Sequence, residues 1–202
     1  MRIGIDFDNT IVSYDSLFYK VARERGAVPD GTPVNKVAVR NYLRQIGQEE
    51  IWTQMQGYVY GARMNEAICY PGVLDFIKKA TNNGHELFIV SHKTKYPFLG
   101  VQYDLHEAAF SWVANHLHEA GVPLIEIDQV FFEPSKEAKL KRAGQIGCQV
   151  FIDDLPEILL SEHFPLTAQR ILFDPEGNHS EKVLLGCKVI RSWFDFESCL
   201  PI

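Results

Sequence analysis

At 202 residues the chain is long enough for one α/β domain with a modest insertion and too short for two large domains. Its 46% apolar and 23% charged residues suit a soluble globular protein, and a net charge of −6 without any Lys/Arg run argues against a nucleic acid polymer as partner. Cys69, Cys148, Cys187 and Cys199 are scattered without a CxxC pair, which reads as reduced thiols. The first apolar stretch is far too short for a signal peptide or a membrane span, so a cytoplasmic protein with no membrane partner is expected.

In chain order, the first element is the apolar run Ile3 to Ile5, which ends in two carboxylates one residue apart, Asp6 and Asp8, within RIGIDFDNT (Arg2 to Thr10). Residues i and i+2 of a strand point the same way. Two like charges so close at the end of a buried strand are costly unless something cationic neutralises them, so this segment reads as chemistry. From about Tyr14 to Tyr70 no strand pattern occurs; Val37 to Ile46 and Glu49 to Tyr58 have helical periodicity around the punctuation Pro29 to Pro33. A helix is predicted after Pro71, burying Val73, Leu74, Phe76, Ile77 and Ala80 and stopping near Gly84. The strand Glu86 to Ser91 follows. Asp104 and Glu107 then predict a capping box for a helix with apolar face Leu105, Ala108, Ala109, Trp112, Val113 and Leu117, ended by Gly121. Next come the strand Gln129 to Phe132, a helix from Ser135 to Gly144 or Gly147, and the strands Gln149 to Asp154, Arg170 to Asp174 and Lys188 to Trp193. This alternation predicts an α/β fold, a Rossmann-like parallel sheet sandwiched by helices. The strandless stretch predicts a small α-helical cap inserted after the first strand. The expected division is a core of residues 1–13 and 71–202 and a cap of residues 14–70, placed in the chain as a lid would be.

In a parallel α/β sheet, ligands gather at the carboxyl ends of the strands. Polar residues fall at four such positions: Asp6 with Asp8, Ser91, Lys136 one residue past the N-cap Ser135, and Asp153 with Asp154. Each alone has an ordinary explanation as a turn, a cap or a solvated charge. Their coincidence at successive strand ends points to one site. Lys139, one turn beyond Lys136, is an alternative for the basic position; the helix N-terminus, with its own dipole, favours Lys136. Lys93 could also reach this site, though a solvated loop lysine is the simpler reading. Structural roles are expected for Asp15, His92 and Asp174.

The order and spacing of these residues, above all DFDNT and FIDD, resemble the phosphatase-type branch of the haloacid dehalogenase (HAD) superfamily over Arg2 to about Pro156, with an insertion resembling its C1-type caps. The resemblance implies a Mg²⁺-dependent phosphatase acting through an aspartyl-phosphate. Asp6 would be the nucleophile and Asp8 the general acid/base, Ser91 and Lys136 would bind the phosphoryl group, and Asp6, Asp153 and Asp154 would hold the metal, with Asp8 contributing its backbone carbonyl. Dehalogenases of the superfamily generally lack an Asp at the position of Asp8. The implied partner is a small phosphorylated metabolite of the nucleotide or sugar phosphate class. Arg40, Arg44, Arg63, Tyr58 and Tyr60 are candidate substrate contacts in the cap, with packing and surface roles the simpler reading. A phosphomutase or phosphotransferase would use the same intermediate, and a non-catalytic phosphate-binding regulatory protein is the alternative of a different class.

Overall fold

The computed structural model describes residues 1–179 and 186–199, with side chains to Phe196. Six strands form one sheet: β1 (Arg2–Ile5), β2 (Glu86–His92), β3 (Val130–Glu133), β4 (Val150–Asp153), β5 (Gln169–Phe173) and β6 (Lys188–Ile190), in the spatial order β6-β5-β4-β1-β2-β3. Every neighbouring pair is parallel, and Ile5 of the central strand lies in register with Ile89 on one side and Ile152 on the other. The helices are α1 (Asp15–Glu24), α2 (Lys36–Gln45), α3 (Glu49–Tyr60), α4 (Val73–Asn82), α5 (Leu105–His116), α6 (Lys136–Ile146) and the single turn α7 (Pro156–Leu159). The expected α/β sheet is therefore present, with each strand within a few residues of its predicted position.

The chain divides into two compact units. The first comprises Met1–Val12, Cys69–Lys93 and Leu117–Ile202 and carries the sheet; the second comprises Ser13–Ile68 and Thr94–His116. In the first unit, Leu140 and Ala143 of α6 and Ile158 and Leu159 of α7 pack with Val90, Phe151 and Leu172 on one face of the sheet. Side chains alternate along β5, so Phe173 points to the opposite face, where its ring lies 5.5 Å from that of Trp193. Trp193 in turn meets Phe76 of α4 at 5.0 Å, and Phe76 meets Phe196 at 4.2 Å. Both faces are thus covered, as a parallel sheet with strands this apolar requires. Gly4 has a packing reason: a Cβ there would stand 2.5 Å from Cδ2 of Phe151 and 2.9 Å from Sγ of Cys148.

The second unit is helical. Asn35 caps α2, its side chain accepting from the amides of Val37 and Ala38 at 2.7 and 3.0 Å. Phe18 of α1 packs on Trp52 of α3 with centroids 4.9 Å apart. The predicted boundaries assigned residues 94–116 to the core, whereas here this segment clusters with the helical unit. Trp112 of α5 shows why: buried, it donates from Nε1 to the Ala67 carbonyl at 2.9 Å, so the apolar face of α5 is satisfied within the helical unit. Asp104 caps α5 as expected, accepting from the amides of His106 and Glu107 at 3.0 Å each. The helix ends earlier than predicted, at His116. Gly121 instead sits at φ +81° in the turn of a short hairpin pairing His118–Glu119 with Val122–Pro123.

Among the described residues no helix is long and apolar enough to cross a membrane. Cys69, Cys148 and Cys187 are free thiols, and the side chain of Cys199 lies outside the described residues. The crowding at Gly4 gives the first test. Gly4→Ala should destabilise the fold by roughly 1–3 kcal/mol, the usual cost of overpacking a close-packed core. For a chain of this size that lowers the melting temperature by about 2–12 °C. An unchanged thermal melt would show that Phe151 yields without cost.

Candidate active site

The strand order reverses direction around β1: the chain proceeds from β1 to β2 and β3 on one side, then returns to β4 on the other. Such a switch point opens a crevice beyond the carboxyl ends of the two strands. Asp6 is fixed at this edge because its amide still donates to the Ile152 carbonyl at 2.9 Å, continuing the β1–β4 ladder one residue past β1. Asp153 closes β4 beside it. The next residues turn back sharply, with the Ile11 and Val12 amides donating to the Phe7 carbonyl and Asn9 at φ +60°, a conformation asparagine tolerates. That turn returns Thr10 to Asp6.

Asp6 is the hub. Its Oδ1 accepts from Ser91 Oγ at 2.9 Å and from Lys139 Nζ at 2.5 Å, and its Oδ2 from Thr10 Oγ1 at 3.3 Å. Lys139 Nζ also donates to Asp153 Oδ2 at 2.5 Å, while Asp153 Oδ1 accepts from the Leu155 amide at 2.9 Å. Asp6, Thr10, Ser91, Lys139 and Asp153 are all buried. Burial alone would push the Lys139 ammonium down, but the carboxylates of Asp153 and Asp6 outweigh it and hold it above the ordinary lysine value. Burial pushes Asp153 up, the Lys139 ammonium opposes this, and the Asp6 charge adds to the rise. Two buried carboxylates therefore share one ammonium, which leaves the pair short of positive charge.

Asp6, Asp153 and the partly buried Asp154 each place a carboxylate oxygen within 4.8 Å of the others. Clustered hard carboxylate oxygens are the donor set a small divalent cation takes. The Asp8 carboxylate lies outside this group; both its side-chain oxygens accept from Lys93 Nζ, at 3.0 and 2.8 Å.

Of the residues singled out by sequence, Asp6, Ser91, Asp153 and Asp154 come together here, with Asp8 alongside on Lys93. Lys136 does not: half exposed, it pairs with Glu157 at 3.1 Å, and Lys139 stands at Asp6 instead. The reason is position along the helix. Both lysines share the face of Leu140 and Ala143, but Lys136 stands at the exposed first turn, right after the Ser135 cap, and Lys139 one turn further in, where that face is buried. Lys93 is likewise a buried ion-pair partner rather than a solvated loop residue. Its signal was present in the sequence, since Lys93 follows Ser91 at the spacing by which Asp8 follows Asp6. Thr10, four residues after Asp6, carried no signal beyond its place in DFDNT. Within the helical unit Arg44 pairs with Glu49, Arg63 with Glu24 and Glu66, and Tyr60 packs on Tyr14. Arg40 Nε reaches Asn41 at 3.4 Å, and the Tyr58 ring lies under the Arg25 guanidinium at 4.4 Å. Asp15 accepts from the Lys36 amide and so ties α1 to the start of α2, while Asp174 accepts from the amides of Asn178 and His179 in the turn after β5. Burial, and then the Lys139 and Lys136 charges, lower the pKa of His92.

No protein-family model matches the sequence, and no curated protein matches it. Solved structures do. The putative HAD-hydrolase YfnB from Bacillus subtilis, bound to magnesium, is 14% identical with a TM-score of 0.61, covering 100% of this chain and 98% of that one. A HAD family hydrolase from Deinococcus radiodurans, with bound phosphate and sodium, is 15% identical with a TM-score of 0.59, covering 98% and 93%. A protein described as a dehalogenase is 11% identical with a TM-score of 0.60, covering 98% and 96%. The chain has the fold of the haloacid dehalogenase superfamily.

The two lysines of α6 separate cleanly by experiment. Lys139→Met leaves two buried carboxylates without their shared ammonium and should cost about 3–5 kcal/mol. Lys136→Ala removes only an exposed pair and should cost about 1 kcal/mol or less. Urea unfolding in the presence of a chelator reads both, and equal midpoint shifts would contradict the burial contrast.

Proposed function

We propose that this chain is a metal-dependent phosphatase that transfers the phosphoryl group of a small phosphomonoester to Asp6 and then to water. The observation that carries this reading is the surroundings of Asp6: a buried carboxylate at the switch point, held by Ser91, Thr10 and Lys139, beside two further carboxylates. A carboxylate fixed on three donors is not free to rotate, as a nucleophile for in-line displacement requires. Attack forms the Asp6–phosphorus bond and breaks the bond to the leaving oxygen, to which Asp8 gives its proton. Asp8 then takes a proton from water as its oxygen attacks phosphorus, releasing inorganic phosphate and restoring Asp6. The Ser91 hydroxyl and Lys139 ammonium, already at Asp6 Oδ1, are the donors nearest the transferring oxygens. Mg²⁺ held by Asp6, Asp153 and Asp154 would supply charge neutralisation at the phosphoryl oxygens.

The dehalogenase of similar fold raises the alternative of halide displacement. Asp8 favours phosphoryl transfer. Halide leaves without a proton, whereas an alkoxide leaving group needs one, so a carboxyl that can act as an acid two residues from the nucleophile is required only in the second case. The net charge of −6 and the lack of a basic run favour a small metabolite over a nucleic acid polymer as substrate.

Phosphate release from 4-nitrophenyl phosphate and a panel of alkyl phosphates, with and without Mg²⁺, tests the reading. Wild type should be active only with the metal and should form an acid-labile phosphoenzyme. Asp6→Asn should lose roughly 10³-fold or more, the scale at which a nucleophile's removal acts. Equal inactivity of the two proteins across the panel would sink the proposal.

A further inference from the structure

The two carboxylates after β1 are matched by two donors at the end of β2 with the same spacing. Ser91 Oγ serves Asp6 at 2.9 Å, and two residues on, Lys93 Nζ serves both oxygens of Asp8, at 3.0 and 2.8 Å. The Lys93 backbone is held too: its amide donates to the Glu133 carbonyl at 2.9 Å, carrying the β2–β3 ladder one residue past β2. The Lys93 side chain is only 3% exposed, whereas that of Asp8 is 22% exposed. The ammonium therefore approaches Asp8 from the protein side, and the carboxyl keeps an open side. A lysine buried this deeply gives up its hydration and most of its rotamer freedom, and a solvent-exposed ion pair contributes too little to account for that.

Resting on the phosphatase reading above, we propose that Lys93 is a positioning residue for Asp8: its bidentate contact fixes the carboxyl beside Asp6 and stabilises the carboxylate that remains once the proton has passed to the leaving oxygen. The consequence is selective. Only substrates whose leaving oxygen must be protonated need Asp8 as an acid, so for formation of the Asp6 phosphoenzyme, which kcat/KM reports, Lys93 should matter for alkyl phosphates and little for a phenolate that departs unaided. The later attack of water, where Asp8 is the base, is common to both. A lysine that instead gripped the phosphoryl group would matter equally for both, since that group is common to them.

The test compares glycerol phosphate with 4-nitrophenyl phosphate at saturating Mg²⁺. In Lys93→Met, kcat/KM for glycerol phosphate should fall about 100-fold or more, within the range general acid catalysis supplies, and kcat/KM for the aryl ester less than about 5-fold. Lys93→Arg, which keeps the charge and two donors, should restore much of the alkyl activity; it also stands in, by the same alkyl-to-aryl ratio, if the Met variant does not fold. In an Asp8→Asn background, Lys93→Met should cost almost nothing further on glycerol phosphate, because a residue that acts through Asp8 has nothing left to position. Equal losses on both esters, or additive losses in the double variant, overturn the role of Lys93 alone. A folded wild type inactive on every phosphomonoester overturns the phosphatase reading, and this role with it.

Discussion

The arrangement depends on one ammonium. Lys139 bridges Asp6 and Asp153, carboxylates that the sheet forces together because β1 and β4 are neighbours and both end at the same edge. Without a cation between them the two charges could not stay buried at this spacing. A buried ion pair is nevertheless a poor device for stability, since well-packed apolar side chains often do as well or better. The sequence around it is arranged to deliver the lysine all the same. Ser135 caps α6 through the Ala138 amide, which fixes where the helix starts and so places residue 139 one turn in, at the strand ends, while Leu140 and Ala143 face the sheet core. Such an arrangement is accounted for by what the cluster does, more than by what it contributes to folding.

Much of this was legible because buried parallel strands are nearly continuous apolar runs, and a polar residue that ends one stands out. Asp6, Ser91 and Asp153 were found in that way. What the sequence did not settle was direction. Lys136 and Lys139 differ by one helical turn, and both lie near the start of a helix that points at the strand ends. A dipole argument favours the first, the stripe of Leu140 and Ala143 runs past both, and burial, which the fold sets, decides for the second. Lys93 posed the same problem on a strand: its partner is 85 residues away, and nothing local reveals that β2 lies beside β1.

The helix α5 was misplaced for a related reason. Leu105, Ala109, Trp112 and Val113 of its predicted stripe are buried, but an amphipathic helix between two strands is equally compatible with covering a sheet or joining other helices. Only the partners distinguish the two, and Trp112 with its indole on the Ala67 carbonyl settles the matter here. Periodicity states that a face is buried and leaves open what buries it.

The two carboxylates after β1 end in different electrostatic settings, although only Phe7 separates them. Asp6 shares its ammonium with Asp153 and is tied to two hydroxyls, so positive charge is scarce around it and the cluster remains receptive to a cation. Asp8 has an ammonium on both oxygens and an open side, so its charge is matched in place. Asp6 has only to be held for attack, whereas Asp8 exchanges a proton, and the ammonium that favours its ionised form suits it to the step in which it takes that proton from water. Neighbouring strands supply that difference through the register of two pairs, Asp6 with Ser91 and Asp8 with Lys93. The asymmetry that the proposed chemistry needs is thus built from strand alignment, before any ligand arrives.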